Sequence, residues 1–247
     1  KIITLAVALE ICGFDQVFKK VGMEPTGDPF NSLMKLENTD SSPYNPMINA
    51  GAIVVASCLA SEISFDTMLD TIRALCMDPD INLDKKVYHS EMSHISRNRA
   101  IAYLLESKGY IEKNKDVENS LHFYVKMCSL SVTAESLAGL GLILANDGIH
   151  PDTGKRLLSS QAVKIVKTLM FTCGMYDGSG EFAVRVGIPS KSGVGGGILS
   201  VVDGEMGIGI FGPALDKKGN SVAGECVLEY MSHELHLHMF DPQRHTL

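Results

Sequence analysis

The stretch KSGVGGGILSVV, residues 191–202, places four glycines in five positions directly before an apolar run. Two similar Val- and Ile-rich segments flank it, EFAVRVGIP at 181–189 and EMGIGIFGP at 205–213. Short runs of this composition, joined by turn residues, are typical of antiparallel strands. We therefore predict three antiparallel strands between residues 181 and 213, with the glycines of 193–197 inside the second strand.

The segments outside this region have the apolar spacing of helices. Those predicted to be helical are 2–20, a buried segment that begins near Asn49, 64–77, 89–107, 116–128, a segment with Thr133 as N-cap, 159–173 and 222–240. A long helical block followed by a sheet and a last helix is typical of the α+β class. We expect a helical lobe at about residues 45–175, and the sheet and last helix at about 180–240. The two lobes are expected to form one compact unit with a cleft.

The composition disfavours several classes of partner. The chain has a formal net charge of −7, no Trp, and no run rich in Lys or Arg. A nucleic acid or an anionic membrane surface is therefore not an expected partner. No signal peptide and no run of 18 apolar residues is found, so no membrane span is predicted. The six cysteines are scattered without paired spacing, which is typical of reduced core cysteines in a cytoplasmic protein.

The glycines of 191–202 do not match a phosphate-binding motif. A P-loop requires a Gly before the Lys, and a dinucleotide fingerprint requires Gly where Ile198 stands. Glycines in a strand indicate that another group approaches the backbone closely. Two interpretations of these glycines stay open. The strand either offers backbone N–H groups to a substrate, as in an oxyanion hole, or packs tightly under a helix.

The histidine-rich segment HELHLH, residues 233–238, is a weak metal signal. The H-E-x-x-H motif would need its second histidine four positions after His233, where Leu237 stands. His233 and His236 could share a helical face, but no further ligand follows at a suitable spacing. We interpret the segment as part of a solvated terminal helix. No metal and no organic cofactor is expected.

Four ordered motifs together are specific to one family. They are VGMEPTGDPFNS (21–32), NPMINAGAI (45–53), GMYDGSG (174–180) and KSGVGGGI (191–198). With these motifs the chain resembles the serine-dependent glutaminases, whose fold is similar to that of β-lactamases and DD-peptidases. The resemblance extends over essentially the whole chain. It implies hydrolysis of L-glutamine to L-glutamate and ammonia, without a cofactor, by a cytoplasmic homodimer or homotetramer.

By position, Lys1 matches the lysine of the S-x-x-K element in this family. The resemblance places the nucleophilic serine three positions before Lys1, and the first strands of the sheet also before residue 1. Residues 1–247 are accordingly expected to be one catalytic domain that is incomplete at its N-terminus. A lysine one helical turn from a serine lies on the same helix face. It acts as a general base only when neutral, and burial favours the neutral form.

The resemblance assigns roles to two further residues of the reaction. Tyr176 matches an active-site tyrosine that relays a proton between the serine and the departing ammonia. The backbone N–H of Val194 matches a donor of the oxyanion hole. Lys191 is interpreted as a structural or electrostatic residue and not as the base. From the residues alone, packing in a turn is the favoured interpretation of Tyr176.

Four residues match substrate contacts of the family. Glu91 matches the ligand of the α-ammonium group, and Asn49 and Asn98 match residues that hold the α-carboxylate and neighbouring polar atoms. Tyr124 matches a further substrate contact. Glu91 and Asn98 are seven positions apart on one predicted helix, so we expect them to share a face. Without the motifs, Asn49 could be a helix cap, Glu91 a solvated charge and Tyr124 a core residue.

Two other functions remain as alternatives. The chain could be a serine hydrolase closer to the β-lactamases or peptidases, although NPMINAGA and GMYDGSG argue against this. It could also be a glutamine-binding fragment without catalytic activity.

Overall fold

The computed structural model describes residues 1–27, 31–32, 42–113 and 116–244. Asp28, Pro29 and Phe30 of the first motif therefore lie outside the described residues. The chain divides into two units. The first unit comprises Lys1–Arg73 and Pro79–Ser131, and the second comprises Ala74–Asp78 and Val132–Leu247.

The first unit is helical and is built around one buried helix. Its elements are α1 (Ile2–Ile11), α2 (Phe14–Phe18), α3 (Asn49–Leu59), α4 (Phe65–Cys76), β1 (Asn82–Leu83), α5 (Lys85–Ser93), α6 (Ser96–Ser107), α7 (Val117–Cys128) and β2 (Leu130–Ser131). The last residues of α4 belong to the second unit. Every residue of α3 is buried, and the helix packs against α1, α6 and α7. Because α3 has no polar face, its neighbours cover it on all sides.

The predicted helix over 89–107 is wrong at its centre. The chain leaves the helix at His94, and α6 begins only at Ser96. The side chains of Ser93 and His94 both contact the carbonyl oxygen of Ser90, at 2.7 and 2.9 Å. Local side-chain hydrogen bonds of this kind compete with the helical backbone ladder. Glu91 and Asn98 consequently lie on two different helices.

The second unit contains the sheet. Its elements are α8 (Ala134–Ala145), α9 (Ser160–Cys173), a 3₁₀ turn (Tyr176–Gly178), α10 (Ser179–Arg185), β3 (Ser190–Ser192), β4 (Gly197–Val202), β5 (Met206–Phe211) and α11 (Val222–Glu234). The three strands are antiparallel in the order β3-β4-β5. Thr133 caps α8 as predicted, through a reciprocal pair of hydrogen bonds with Ser136. The helices α8 and α9, predicted in the helical lobe, belong here to the unit with the sheet.

Helix α8 lies unusually close to strand β5. A Cβ atom at Gly207 would lie 2.2 Å from the carbonyl oxygen of Ala138, and one at Gly209 would lie 1.8 Å from that of Ala134. Only glycine fits at these two positions. Tight packing under a helix therefore explains Gly207 and Gly209 of EMGIGIFGP. The two interpretations left open above concern the glycines of 193–197, which lie in a different segment.

Two strand predictions are wrong. EFAVRV forms α10 instead of a strand, and its buried residues Phe182 and Val186 are four positions apart, which is helical spacing. KSGVGGGILSVV is not one strand either. It forms β3, a turn and β4, and Gly193 N–H donates to the carbonyl oxygen of Gly197 at 2.9 Å across the turn.

The α+β class is confirmed, with a three-stranded antiparallel sheet in this unit. The predicted terminal helix begins at Val222 as expected but ends at Glu234, so most of HELHLH lies after it. All six cysteines lie among the described residues, and none forms a disulfide. In the described part of the chain, no helix is long and apolar enough to cross a membrane.

Candidate active site

Lys1 points its amine at the start of the buried helix α3. Its Nζ atom donates to the carbonyl oxygen of Met47 and to Oδ1 of Asn49, each at 2.9 Å. Lys1 immediately precedes α1, and α1 packs against α3, so the packing of two buried helices fixes this contact. The lysine assigned as general base is thus held by two oxygen acceptors.

The surroundings of Lys1 favour its neutral form. Burial of the amine lowers the pKa of Lys1 from 10.5 to about 8, and a smaller opposing effect comes from Cys128. The direction follows from the cost of keeping an ammonium group away from water. The oxygen atoms of Met47 and Asn49, each 2.9 Å from Nζ, accept hydrogen bonds from the amine and hold it in place.

Asn49 connects Lys1 to Asn98. The Oδ1 atom of Asn49 accepts from Lys1, and its Nδ2 atom donates to Oδ1 of Asn98 at 3.1 Å. Asn49 is the first residue of α3 but makes no side-chain capping bond, since the N-cap position is Ile48. The alternative that Asn49 is only a helix cap is therefore wrong. Three of the residues that the family resemblance assigned to the site thus form one hydrogen-bonded chain.

The loop before α3 contains residues that the motif alone did not assign. Asn45 is buried; its Oδ1 atom accepts from the N–H groups of Met47 and Ile48, and its Nδ2 atom donates to the carbonyl oxygen of Glu24. A Cβ atom at Gly51 would lie 2.0 Å from the carbonyl oxygen of Asn45. The Asn-Pro pair, a common turn initiator, was the available signal for this loop.

Glu91 and Tyr124 are placed differently from the Lys1–Asn49–Asn98 chain. Glu91 is exposed on α5, and its carboxylate has no hydrogen bond or ion pair to any residue that the structure describes. Tyr124 is buried on α7. The structure thus brings three of the five site residues of the first unit into direct contact, and it leaves the Glu91 carboxylate open to solvent.

In the second unit, Tyr176 occupies an unusual backbone conformation. Its φ angle is +55°, in the left-handed region that residues other than glycine rarely adopt. The ammonium group of Lys191 lies 4.4 Å from the centre of the Tyr176 ring, within the range of a cation–π interaction. The sequence did not indicate this pair. The contact agrees with the electrostatic interpretation of Lys191.

Val194 lies in the turn between β3 and β4, and not within a strand as predicted. Val194 is 55% exposed. Among the described residues, no oxygen accepts a hydrogen bond from the Val194 N–H. The group keeps a donor available, which an oxyanion hole requires.

The described residues contain no group of three or more His, Cys, Asp or Glu side chains that could hold a metal ion. His233 and His236 instead contact neighbouring carboxylates, Glu234 and Asp241, at 3.0 Å each.

Comparison with known proteins identifies the family. Residues 1–240 match the family model described as Glutaminase. A glutaminase of Fusobacterium nucleatum is 53% identical over 244 residues, which are 97% of this chain and 79% of the relative. A glutaminase of Clostridioides difficile is also 53% identical over 244 residues, covering 97% of this chain and 78% of the relative.

Solved structures agree. A probable glutaminase of Bacillus subtilis superposes with a TM-score of 0.91 at 39% identity, covering 97% of this chain and 80% of that one. A Bacillus subtilis glutaminase in covalent complex with 5-oxo-L-norleucine superposes with a TM-score of 0.85 at 36% identity, covering 97% and 79%. These similarities confirm the predicted α+β fold of the β-lactamase-like type and the predicted family. The chain belongs to the glutaminase family.

Proposed function

We propose that this chain hydrolyses the side-chain amide of L-glutamine to L-glutamate and ammonia. The family match over residues 1–240 and the relatives named glutaminase at 53% identity support this reaction. The same match supports one catalytic domain over 1–247. The observation that carries the proposal is Lys1, an amine held by two oxygen acceptors with its pKa lowered to about 8.

The proposed mechanism is covalent catalysis through a serine acyl-enzyme. Lys1 takes the proton of a serine three positions before it, a residue expected from the family resemblance and not one of the 247 residues. A lysine with a pKa near 8 is neutral in a useful fraction at neutral pH. The covalent complex of the Bacillus subtilis glutaminase, formed from 6-diazo-5-oxo-L-norleucine, supports a nucleophilic mechanism in this family.

Tyr176 and Val194 are proposed to complete the chemistry. The Tyr176 hydroxyl passes a proton to the departing ammonia, and the Val194 N–H stabilises the negative oxygen that develops on the amide carbon. Two observations support these roles: no described residue accepts a hydrogen bond from the Val194 N–H, and the backbone of Tyr176 is constrained.

We further propose that the remaining residues recognise the amino-acid end of glutamine. Glu91 is suited to the α-ammonium group because its carboxylate is exposed and has no hydrogen bond or ion pair to a described residue. Asn49 and Asn98, already joined by a hydrogen bond, are suited to the α-carboxylate and adjacent atoms. Tyr124 adds a further contact. No cofactor takes part.

The cellular setting is also a proposal. Six cysteines without a disulfide agree with a reducing compartment, and we propose the cytoplasm. A homodimer or homotetramer is proposed from the family resemblance, and sedimentation of the purified protein tests it.

The experiment that tests the function measures ammonia release by the product of the complete gene. L-Glutamine should be hydrolysed much faster than L-asparagine, whose amide lies one methylene closer to the α-carbon. Incubation with 6-diazo-5-oxo-L-norleucine should add one covalent label, detected by mass spectrometry. Equal rates on both amides contradict the substrate assignment. Hydrolysis of a β-lactam without hydrolysis of glutamine would favour the β-lactamase-like alternative, and binding without turnover would favour the non-catalytic one.

A further inference from the structure

We propose that Ser179 and Asn220 are positioning residues that hold Tyr176 in its left-handed backbone conformation. The proposal rests on the role of Tyr176 in the proposed function. It concerns only the second unit, to which all three residues belong. Neither Ser179 nor Asn220 is needed to touch the substrate, because each contacts the backbone on which Tyr176 is carried.

Tyr176 needs such support. A φ angle of +55° in a residue with a bulky side chain is unfavourable, and such a residue persists only where its surroundings determine the conformation. A backbone held this way fixes the direction of the Cα–Cβ bond. The phenol of Tyr176 is therefore aimed by its main chain as well as by the Lys191 ammonium group over its ring.

The Ser179 hydroxyl forms hydrogen bonds with the backbone before and after the Tyr176 Cα atom. Its Oγ atom accepts a hydrogen bond from the N–H of Met175 at 3.0 Å, and it donates to the carbonyl oxygen of Tyr176 at 2.8 Å. One hydroxyl thus joins the backbone before the Tyr176 Cα atom to the backbone after it. Ser179 is buried, so water does not compete for these bonds.

Asn220 supports the same turn from another segment. It is 1% exposed, and its Nδ2 atom donates to the carbonyl oxygen of Met175 at 3.4 Å. Asp216 orients Asn220, because its Oδ1 atom accepts from the Asn220 N–H at 2.8 Å. The carbonyl oxygen of Met175 also accepts from Gly178 N–H at 3.0 Å. The turn is therefore held at Met175 by two donors.

The loop that carries Asn220 also lies against the Tyr176 ring. A Cβ atom at Gly219 would be 3.6 Å from Cε2 of Tyr176 and 3.6 Å from Cγ1 of Val194. Gly219 itself has a φ angle of +95°, which a side chain would disfavour. Gly219 thus lies close to both residues of the second unit to which the proposed mechanism gives a role.

The test is a double-mutant cycle on glutamine hydrolysis by the product of the complete gene. The variants are Ser179→Ala, Tyr176→Phe and the combination of the two. Misplacement of a catalytic group by a fraction of an ångström lowers kcat strongly, and we expect Ser179→Ala to lower kcat about tenfold with KM nearly unchanged. In the Tyr176→Phe background, Ser179→Ala should lower kcat less than about twofold, since the hydroxyl that it positions is gone.

Asn220→Ala gives a second, independent test with the same expected dependence on Tyr176. Ser232→Ala is the matched control. Ser232 is a buried serine of the same unit, and it donates one hydrogen bond to a backbone oxygen, that of Val186, at 2.6 Å. This control should lower the melting temperature, by no more than Ser179→Ala does because it loses one hydrogen bond instead of two, and leave kcat unchanged.

The outcomes separate the two proposals. If Ser179→Ala and Asn220→Ala lower kcat equally with and without the Tyr176 hydroxyl, the positioning role is overturned while the glutaminase function stands. The same holds if both variants keep the kcat of the unmodified protein. If Tyr176→Phe is fully active, the role proposed for Tyr176 fails, and the positioning role fails with it. If the unmodified protein does not hydrolyse glutamine, the proposed function itself is contradicted.

Discussion

The Nζ atom of Lys1 lies 2.9 Å from Oδ1 of Asn49, whose amide nitrogen donates in turn to Oδ1 of Asn98. This arrangement gives the lysine an acceptor that carries no charge. A carboxylate at the same position would favour the ammonium form of Lys1 and raise its pKa. An amide holds the amine in place while leaving its proton easy to remove. The lowering of the Lys1 pKa by burial is therefore not offset by a negative charge at Asn49. Two predictions follow from this lowered pKa.

The first prediction concerns pH. The neutral form of Lys1 is the active base, and burial lowers its pKa to about 8. Below that pH the ammonium form predominates, so the rate should fall about tenfold per pH unit on going down and level off above it. The measurement is kcat/KM for glutamine between about pH 6 and 9.5, a range that brackets this pKa. A rate that is constant through pH 8 would contradict the role of Lys1.

Lys1→Ala should abolish turnover and leave glutamine binding detectable by calorimetry. Lys19→Ala is the matched control, because Lys19 is an exposed lysine that follows α2 in the same unit. It should keep both the rate and the pH profile. Near-normal turnover in Lys1→Ala would remove Lys1 as the base.

The second prediction uses Asn49→Asp, which replaces the amide by a carboxylate of the same shape. The new negative charge beside the amine should raise the pKa of Lys1, so the pH at which the rate rises should increase by roughly one to three units. At neutral pH kcat should fall by the corresponding factor and recover at higher pH, while KM should rise at every pH because the new carboxylate also repels the substrate α-carboxylate that Asn49 is proposed to hold. Asn119→Asp, an exposed change on α7, is the control and should leave the profile in place. A lower rate without this shift in pH would show that Asn49 does not act through Lys1.

The sequence predicted most helices of this fold because their signals are local. Thr133 caps α8, as its residue type and position indicated. Helix α3 begins at Asn49, as the start of the apolar run indicated. The family resemblance also selected Lys1, Asn49 and Asn98, which the structure brings into one hydrogen-bonded chain. These residues are far apart in the sequence, so only the family resemblance could group them beforehand.

The sequence did not predict the structure correctly where a local pattern fits both helix and strand, or where residues distant in the sequence determine the conformation. EFAVRV is a short apolar run, and such runs do not distinguish strand from helix. Its i,i+4 pair Glu181 and Arg185, which form an ion pair at 3.4 Å, was a helical signal. The conformation of Tyr176 depends on Asn220, which is distant in the sequence and becomes a neighbour only in the folded chain. A short segment of the sequence cannot include both residues, so a local pattern could not predict this contact.

The third prediction concerns the stability of the loop before α3. Gly51→Ala would place a Cβ atom 2.0 Å from the carbonyl oxygen of Asn45, so the backbone must shift. We expect the free energy of unfolding to fall by about 1–3 kcal/mol, as is usual for overpacking. Gly180→Ala is the opposite case: nothing lies within 4 Å of its Cβ position, and it lies within α10. Alanine there should be neutral or stabilising by up to about 1 kcal/mol. Urea unfolding measures the free energy of unfolding of both variants. Equal changes in this free energy would contradict the steric argument.

The last prediction tests the Val194 N–H as the oxyanion donor. Val194→Pro removes that N–H, and no described residue accepts a hydrogen bond from it, so the described part of the fold loses no bond. We expect kcat to fall by about two orders of magnitude, the usual result of losing one such donor. Val194→Ala keeps the N–H and removes an exposed side chain, so it should retain most of the activity. Melting temperatures of both variants identify any disruption of the turn between β3 and β4. If the two variants hydrolyse glutamine at the same rate, the oxyanion is stabilised by another group.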